Sequence, residues 1–152
     1  MRLMMVDKVK EMKEDSIETE KFLTVNEEVF ETHFPGNPVV PAAFMVEGAI
    51  QSARIFLWNK TQLNKTLLAY EFDKFKYKNL LCPGTILEIK VTFKDIEGLE
   101  EEKETLKVKA EGYSEGKEIF SGEMLCKVLP IETIHNVENC KMFLDYLLKD
   151  KK

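Results

Sequence analysis

Alternation of apolar and polar residues through the second half of the chain constrains its fold more than any other feature. Apolar or small residues recur at every second position over 87–93, 106–110 and 120–128. This period is typical of strands with one buried face and one face in solvent. Gly98 and the pair Glu115–Gly116 lie between these segments and indicate hairpin turns. The second half is therefore predicted to be an antiparallel sheet.

A long apolar segment precedes the sheet. Residues 42–58 contain no helix breaker except Gly48, and their apolar side chains would cover most of a helix. A helix that is apolar nearly all round is buried on most sides. Pro41 suits its first turn. We predict one long buried helix here.

Further elements surround this helix. Strands are predicted over 3–8, 19–25 and 67–78, and an amphipathic tail helix over 137–148, capped by Asn136. One helix against one antiparallel sheet is an α+β fold.

Charge and composition exclude several classes of function. The chain has 27 acidic and 22 basic residues, which argues against general nucleic-acid binding. Its three cysteines have no metal-ligand spacing and indicate reduced thiols in a cytoplasmic protein. The longest apolar run, 41–58, is interrupted by polar side chains and does not predict a membrane span.

Two residues carry candidate chemistry. His33 lies in a Pro/Gly-rich loop, 26–41, and fourteen positions later Glu47 is a lone carboxylate in an apolar run. A histidine accepts a proton near neutral pH, and a carboxyl group in apolar surroundings has a raised pKa, so that it keeps a proton which it can give. The pair is typical of a base and an acid that eliminate or add water.

Residues 33–51, which read HFPGNPVVPAAFMVEGAIQ, resemble the signature HFPGxPxxPGxxxxEAxxQ of the FabZ-type 3-hydroxyacyl-(acyl carrier protein) dehydratases. The segments MMVDKV, FDKFKYKNLLCPGT and GEMLCKVLP are also similar to that family, so that the resemblance covers about 2–130. It implies a hot-dog fold, a curved antiparallel sheet wrapped around one long central helix. Residues 1–130 would form this domain, and 131–152 its C-terminal helical extension.

The resemblance also implies roles for individual residues. His33 would be the base and Glu47 the acid, directly or through a water. The backbone N–H of Ala42 would bind the thioester oxygen, with Gly36 and Gln51 in support. Ala42 replaces a family glycine, Thr85 replaces a family aspartate, and the family's PHRxPF segment is not found.

Other roles are assigned with an alternative for each. Phe34, Phe44 and Met45 are candidates for an acyl tunnel, and the alternative is ordinary core packing. Arg54, Lys74, Lys76 and Lys78 are candidates for docking an acidic carrier protein, because the three lysines would lie on one face of a strand. The alternative is a solvated strand edge.

The function implied is dehydration of (3R)-3-hydroxyacyl-acyl carrier protein to the trans-2-enoyl form, in fatty acid or related lipid or polyketide-type biosynthesis. The family pattern implies a cytoplasmic homodimer with shared active sites, with a trimer of dimers as a further assembly. No metal or other cofactor is expected, because the phosphopantetheine arm arrives with the substrate. The alternatives are a hot-dog acyl thioesterase and a catalytically weak binding or regulatory subunit.

Overall fold

The computed structural model describes residues 3–99 and 102–151, which form six strands and two α-helices. The strands, all in antiparallel pairs, follow the order β1-β2-β4-β5-β6-β3 across one sheet. The elements are β1 (Lys8–Met12), β2 (Ser16–Leu23), α1 (Ala42–Lys60), β3 (Lys65–Tyr77), β4 (Thr85–Phe93), β5 (Thr105–Ser114), β6 (Lys117–Pro130) and α2 (Val137–Leu148), with short 3-10 helices at Glu28–Glu31 and Ile131–Thr133. The predicted α+β fold is confirmed.

The alternating segments became strands because each buries one face. The buried residues of β4 form one core cluster with the buried side chains of α1. They are Leu87, Ile89, Val91 and Phe93. Glu115 and Gly116, with φ of 51° and 77°, close the β5–β6 hairpin as the sequence predicted.

The central helix lies very close to the sheet at Gly48. A Cβ there would lie 2.7 Å from Ile89 Cδ1 and 3.3 Å from Met5 Cβ. A larger residue would push the helix away from both neighbours, so the glycine reflects packing rather than a break in the helix.

The prediction of the first strand was wrong. A strand was expected over 3–8, but β1 begins only at Lys8. Leu3 and Met5 are hydrogen-bonded to Gln51 of α1 instead, and only Asp7 is already bonded to β2. Met5 and Val6 are buried there. The apolar character of this segment therefore arises from packing against a helix, and not from pairing with another strand.

The tail helix agrees with its predicted bounds. The Asn136 side chain accepts a hydrogen bond from the Asn139 backbone N–H at 3.0 Å, as expected for a cap. Cys140, Leu144 and Leu147 are buried against the main core. Among the described residues, no helix is long and apolar enough to cross a membrane.

Candidate active site

The loop that carries His33 is shaped by a tight turn at Pro35–Gly36. The backbone N–H of Phe34 donates to Asn37 O at 3.1 Å, and that of Asn37 donates to Phe34 O at 2.8 Å. Gly36 has φ of +74°, which proline followed by glycine supplies in a type II turn. Nothing lies within 4 Å of a Cβ at Gly36, so backbone conformation rather than space requires glycine.

His33 is tied to the far end of this loop by its ring and its backbone. Its Nδ1 lies 2.8 Å from Val39 O, and the Val39 N–H donates to His33 O at 3.0 Å. A carbonyl oxygen only accepts, so Nδ1 carries the hydrogen and Nε2 of the neutral ring is left to accept a proton. The Phe34 ring stacks on the imidazole at a centroid distance of 4.1 Å.

Glu47 is half-buried on α1 and is held by its neighbour one turn later. Gln51 Nε2 donates to Glu47 Oε1 and to Leu3 O, both at 3.0 Å. Gln51 Oε1 accepts from the Met5 N–H at 2.8 Å. The N-terminal segment therefore fixes Gln51, and Gln51 in turn fixes the carboxyl group.

Ala42 is the first residue of α1, and no side chain caps the helix there. The first N–H groups of a helix have no partner within it and form a positive dipole end. The Tyr77 hydroxyl donates to Ala42 O at 3.4 Å, so a side chain of β3 lies at the start of the helix. This end of α1 is suited to bind an oxygen that carries negative charge.

The three tunnel candidates lie in different surroundings. Phe34 is exposed, and Met45 is buried in the core. Phe44 lines a cavity of about 250 Å³ between the N-terminal segment, β2 and the start of α1. Neither Phe34 nor Met45 lines this cavity.

The lysines of β3 do not share one strand face, which corrects the sequence prediction. The β3–β6 register shifts between Asp73 and Lys76, and Lys74 has φ of +54°. This bulge reverses the alternation that would align the lysines. Lys78 lies beyond the strand and pairs with Glu118 at 2.9 Å. Lys74, Lys76 and Lys78 nevertheless remain exposed.

Arg54 has a different setting from the surface position expected of a docking residue. Its Nε donates to Leu67 O at 3.0 Å, and burial lowers the pKa of its guanidinium. It lines a groove between α1 and α2 that the sequence did not predict.

His135, which was given no role from the sequence, also lines this groove, and its Nε2 lies 3.0 Å from Thr66 Oγ1. A clue was the cluster of polar residues at 135, 136, 138 and 139, just before the apolar face of the tail helix.

Among the described residues, no hydrogen bond joins His33 to Glu47. His33 is held within its own loop, and Glu47 lies at the groove between α1 and α2. One chain thus holds the two candidate residues in separate surroundings, each fixed by its own hydrogen bonds.

A family model and several relatives match most of this chain. The family model of the FabA-like domain matches residues 1–123. The chain is 35% identical over 126 residues to the 3-hydroxyacyl-[acyl-carrier-protein] dehydratase FabZ of Lactobacillus helveticus, with 80% of each chain covered. It is 32% identical over 124 residues to that of Caldicellulosiruptor saccharolyticus, with 80% of this chain and 85% of the relative covered.

Solved structures share the fold. The dehydratase heterocomplex ApeI:P from Xenorhabdus doucetiae matches with a TM-score of 0.66 at 10% identity, covering 82% of each chain. The fluoroacetyl-CoA thioesterase FlK matches with a TM-score of 0.63 at 14% identity, covering 82% of this chain and 93% of the other. At such identities the likeness concerns the fold alone, and it confirms the expected hot-dog architecture.

Proposed function

This chain belongs to the FabA-like domain family, and on that premise we propose that it dehydrates (3R)-3-hydroxyacyl chains on acyl carrier protein to trans-2-enoyl products. The relatives that match over most of the chain are 3-hydroxyacyl-acyl carrier protein dehydratases. The observation that carries the proposal is the hydrogen bond from His33 Nδ1 to Val39 O at 2.8 Å, because it leaves Nε2 as a base.

Removal of the C2 proton is the task of His33. The proton on C2 of a thioester is only weakly acidic, so the base must be held in place and the developing enolate oxygen must be stabilised. The Val39 carbonyl orients the ring and supports the imidazolium that forms. The free N–H of Ala42, at the positive end of α1, receives the oxygen.

Loss of the C3 hydroxyl is the task of Glu47. In its protonated form the carboxyl group gives a proton to the departing oxygen, and water leaves. Gln51 donates to one carboxyl oxygen, Oε1, which leaves the other free to face the substrate. Every proton transfer uses a side chain of the protein, so we propose no metal or other cofactor beyond the phosphopantetheine of the carrier.

A homodimer would bring the two halves together. β3 is an edge strand, and its side chains Leu68, Tyr70 and Phe72 are each more than 40% exposed. An exposed apolar edge favours pairing with another strand, and two copies of β3 related by a two-fold axis would extend the sheet. We infer that His33 of one subunit works with Glu47 of the other. A trimer of such dimers stays a prediction.

Carrier-protein docking is proposed for the exposed lysines Lys74, Lys76 and Lys78, whose charge suits an acidic partner.

The reaction is proposed to take place in the cytoplasm. The three cysteines form no disulfide, which is typical of that compartment: Cys82, Cys126 and Cys140.

Two alternatives have weaker support. The thioesterase alternative rests on fold likeness alone, since FlK is 14% identical. The weak-subunit alternative would be favoured if Ala42, in place of the family glycine, were strained. Ala42 begins a right-handed helix, a conformation that alanine adopts without strain.

One assay separates these functions. 3-Hydroxybutyryl-carrier protein is incubated with the purified protein, and enoyl absorbance and free thiol are followed together. We expect absorbance to rise without thiol release. Thiol release without enoyl product would show a thioesterase, and neither signal would show a non-catalytic subunit.

A further inference from the structure

The groove between α1 and α2 begins at the proposed acid. It has a volume of about 220 Å³, and Glu47, Gln51, Arg54 and Trp58 line it from the α1 side. These residues share one helix face because they are three or four positions apart. From Glu47 to Trp58 the helix rises about 16 Å. The groove therefore runs from the reacting end of the site lengthwise along the helix.

The walls of this groove are mainly apolar. Met4, Ile55 and Trp58 lie on one side, and Phe143 and Cys140 of α2 lie on the other. Burial raises the pKa of the Cys140 thiol, so this wall is uncharged. Apolar walls with a few placed polar groups are typical of small-molecule sites. The groove is thus suited to a narrow hydrocarbon chain.

Arg54 is the exception in this apolar lining. Its one hydrogen bond within residues 3–99 and 102–151 is from Nε to Leu67 O, and no ion pair there includes it. Both terminal nitrogens are left with unused donors. The charge of Glu47 raises the pKa of the guanidinium against the effect of burial, but Glu47 forms no contact ion pair with it among the described residues. A partly desolvated guanidinium with no carboxylate in contact is costly, and its planar fork matches a carboxylate.

We propose that the groove binds the distal end of the acyl chain and that this end carries a carboxylate, bound by Arg54. The inference rests on the proposed function, because it takes the thioester end of the substrate to lie at Glu47. Arg54 is seven residues beyond Glu47, about 10 Å along the helix, so the chain has to extend that far past its reacting carbons. A methyl end would leave the guanidinium unpaired, whereas a carboxylate accepts two of its donors.

Asn139 adds a second polar contact from the other wall. It is exposed on α2 and lines the groove, while its backbone N–H is already held by the Asn136 cap. Its side-chain amide is the second donor that we assign to the carboxylate. Because the cap uses only the backbone of Asn139, the side chain can be changed without loss of the cap.

The test compares two 3-hydroxyacyl-carrier proteins of equal chain length, one ending in a methyl group and one in a carboxylate. For the wild type we expect kcat/KM to be at least about tenfold higher for the carboxylate-ended substrate. Arg54→Met should abolish this preference, and Arg54→Lys should keep part of it because the charge remains. Asn139→Leu should reduce it by a smaller factor. Met142→Ala, on an exposed position of α2 outside the groove, is the matched control and should keep the full preference.

Equal or lower kcat/KM for the carboxylate-ended substrate would overturn the inference, and so would a preference that survives both Arg54→Met and Asn139→Leu. Asn139→Leu keeps the test open if Arg54→Met fails to fold. A 3-hydroxybutyryl substrate, too short to reach Arg54, separates the two proposals. If neither it nor the two longer substrates are dehydrated, the proposed function fails; if any of the three is dehydrated and no preference exists between the two longer ones, only the assignment of the groove fails.

Discussion

The loop that presents His33 and the helix face that presents Glu47 are built in opposite ways. His33 is held by two hydrogen bonds to Val39, six residues away along the chain. Glu47 is held by Gln51, whose other partners are Leu3 and Met5, more than forty residues away. His33, the proposed base, is therefore positioned by local backbone geometry, and Glu47, the proposed acid, by long-range packing of the N-terminal segment.

The largest expected effect is the loss of either half of the acid–base pair. His33→Gln and Glu47→Gln should each lower kcat by about 10²–10⁴-fold, since that is the usual contribution of a positioned acid or base. The measurement is enoyl formation from 3-hydroxybutyryl-carrier protein. Glu14→Gln, at a surface carboxylate with 97% exposure, should leave kcat unchanged. A fall of less than tenfold in either variant would contradict its assigned role.

Mixing the two inactive variants tests whether the halves come from different subunits. A dimer with one subunit of each kind has one complete site and one site that lacks both groups. Random reassociation should restore about one quarter of wild-type activity. No recovery in dimers shown to have exchanged subunits would mean that each chain completes its own site.

A smaller effect is expected when the long-range contacts that position Glu47 through Gln51 are removed. Gln51→Leu leaves Leu3 O and Met5 N–H without their partner and frees Glu47. A stranded buried group costs about 1–3 kcal/mol, and because these two are only partly buried we expect a total loss of about 2 kcal/mol in unfolding free energy and a fall of about tenfold in kcat. Denaturant unfolding and the enoyl assay measure the two effects. Asn59→Ala, exposed near the end of the same helix, should change stability by less than about 0.5 kcal/mol.

The role of the local turn in positioning His33 is tested at Gly36. Gly36→Ala places a side chain at φ of +74° and should cost about 1–2 kcal/mol in stability. Gly98→Ala is a matched control, because Gly98 has φ of +77° and equally open surroundings in a distant turn. Both variants should lose similar stability in denaturant, but only Gly36→Ala should also lower kcat. Equal kcat in the two variants would show that the turn does not position His33.

The same contrast explains how much could be predicted from sequence. Alternation in β4 and β5, the bounds of α2 and its Asn136 cap depend on nearby residues, and they were predicted correctly. The turn at Pro35–Gly36 is also local, which is why its prolines and glycine marked the loop in the sequence. The conformation of residues 3–7 depends on which distant element packs against them. The groove at Arg54 likewise forms only where α2 packs beside α1. The bulge at Lys74 is a backbone feature without a glycine or proline to mark it, so the alternation of the lysines was misjudged.

The smallest effect concerns His135, which lies beside the same groove as Glu47. Burial lowers its pKa below the ordinary value of 6.5, so the folded protein keeps it neutral where the unfolded chain binds a proton. Its contribution to stability is therefore present above about pH 6.5 and is lost as the pH falls below that value. Between about pH 7.5 and about pH 5.5 the unfolding free energy of His135→Gln should decline less than that of the wild type. His33→Gln, measured in parallel, separates this effect from titration of the loop histidine. An identical decline in wild type and His135→Gln would mean that burial beside α2 does not hold the ring neutral. Water would then have more access to the groove than its apolar walls indicate.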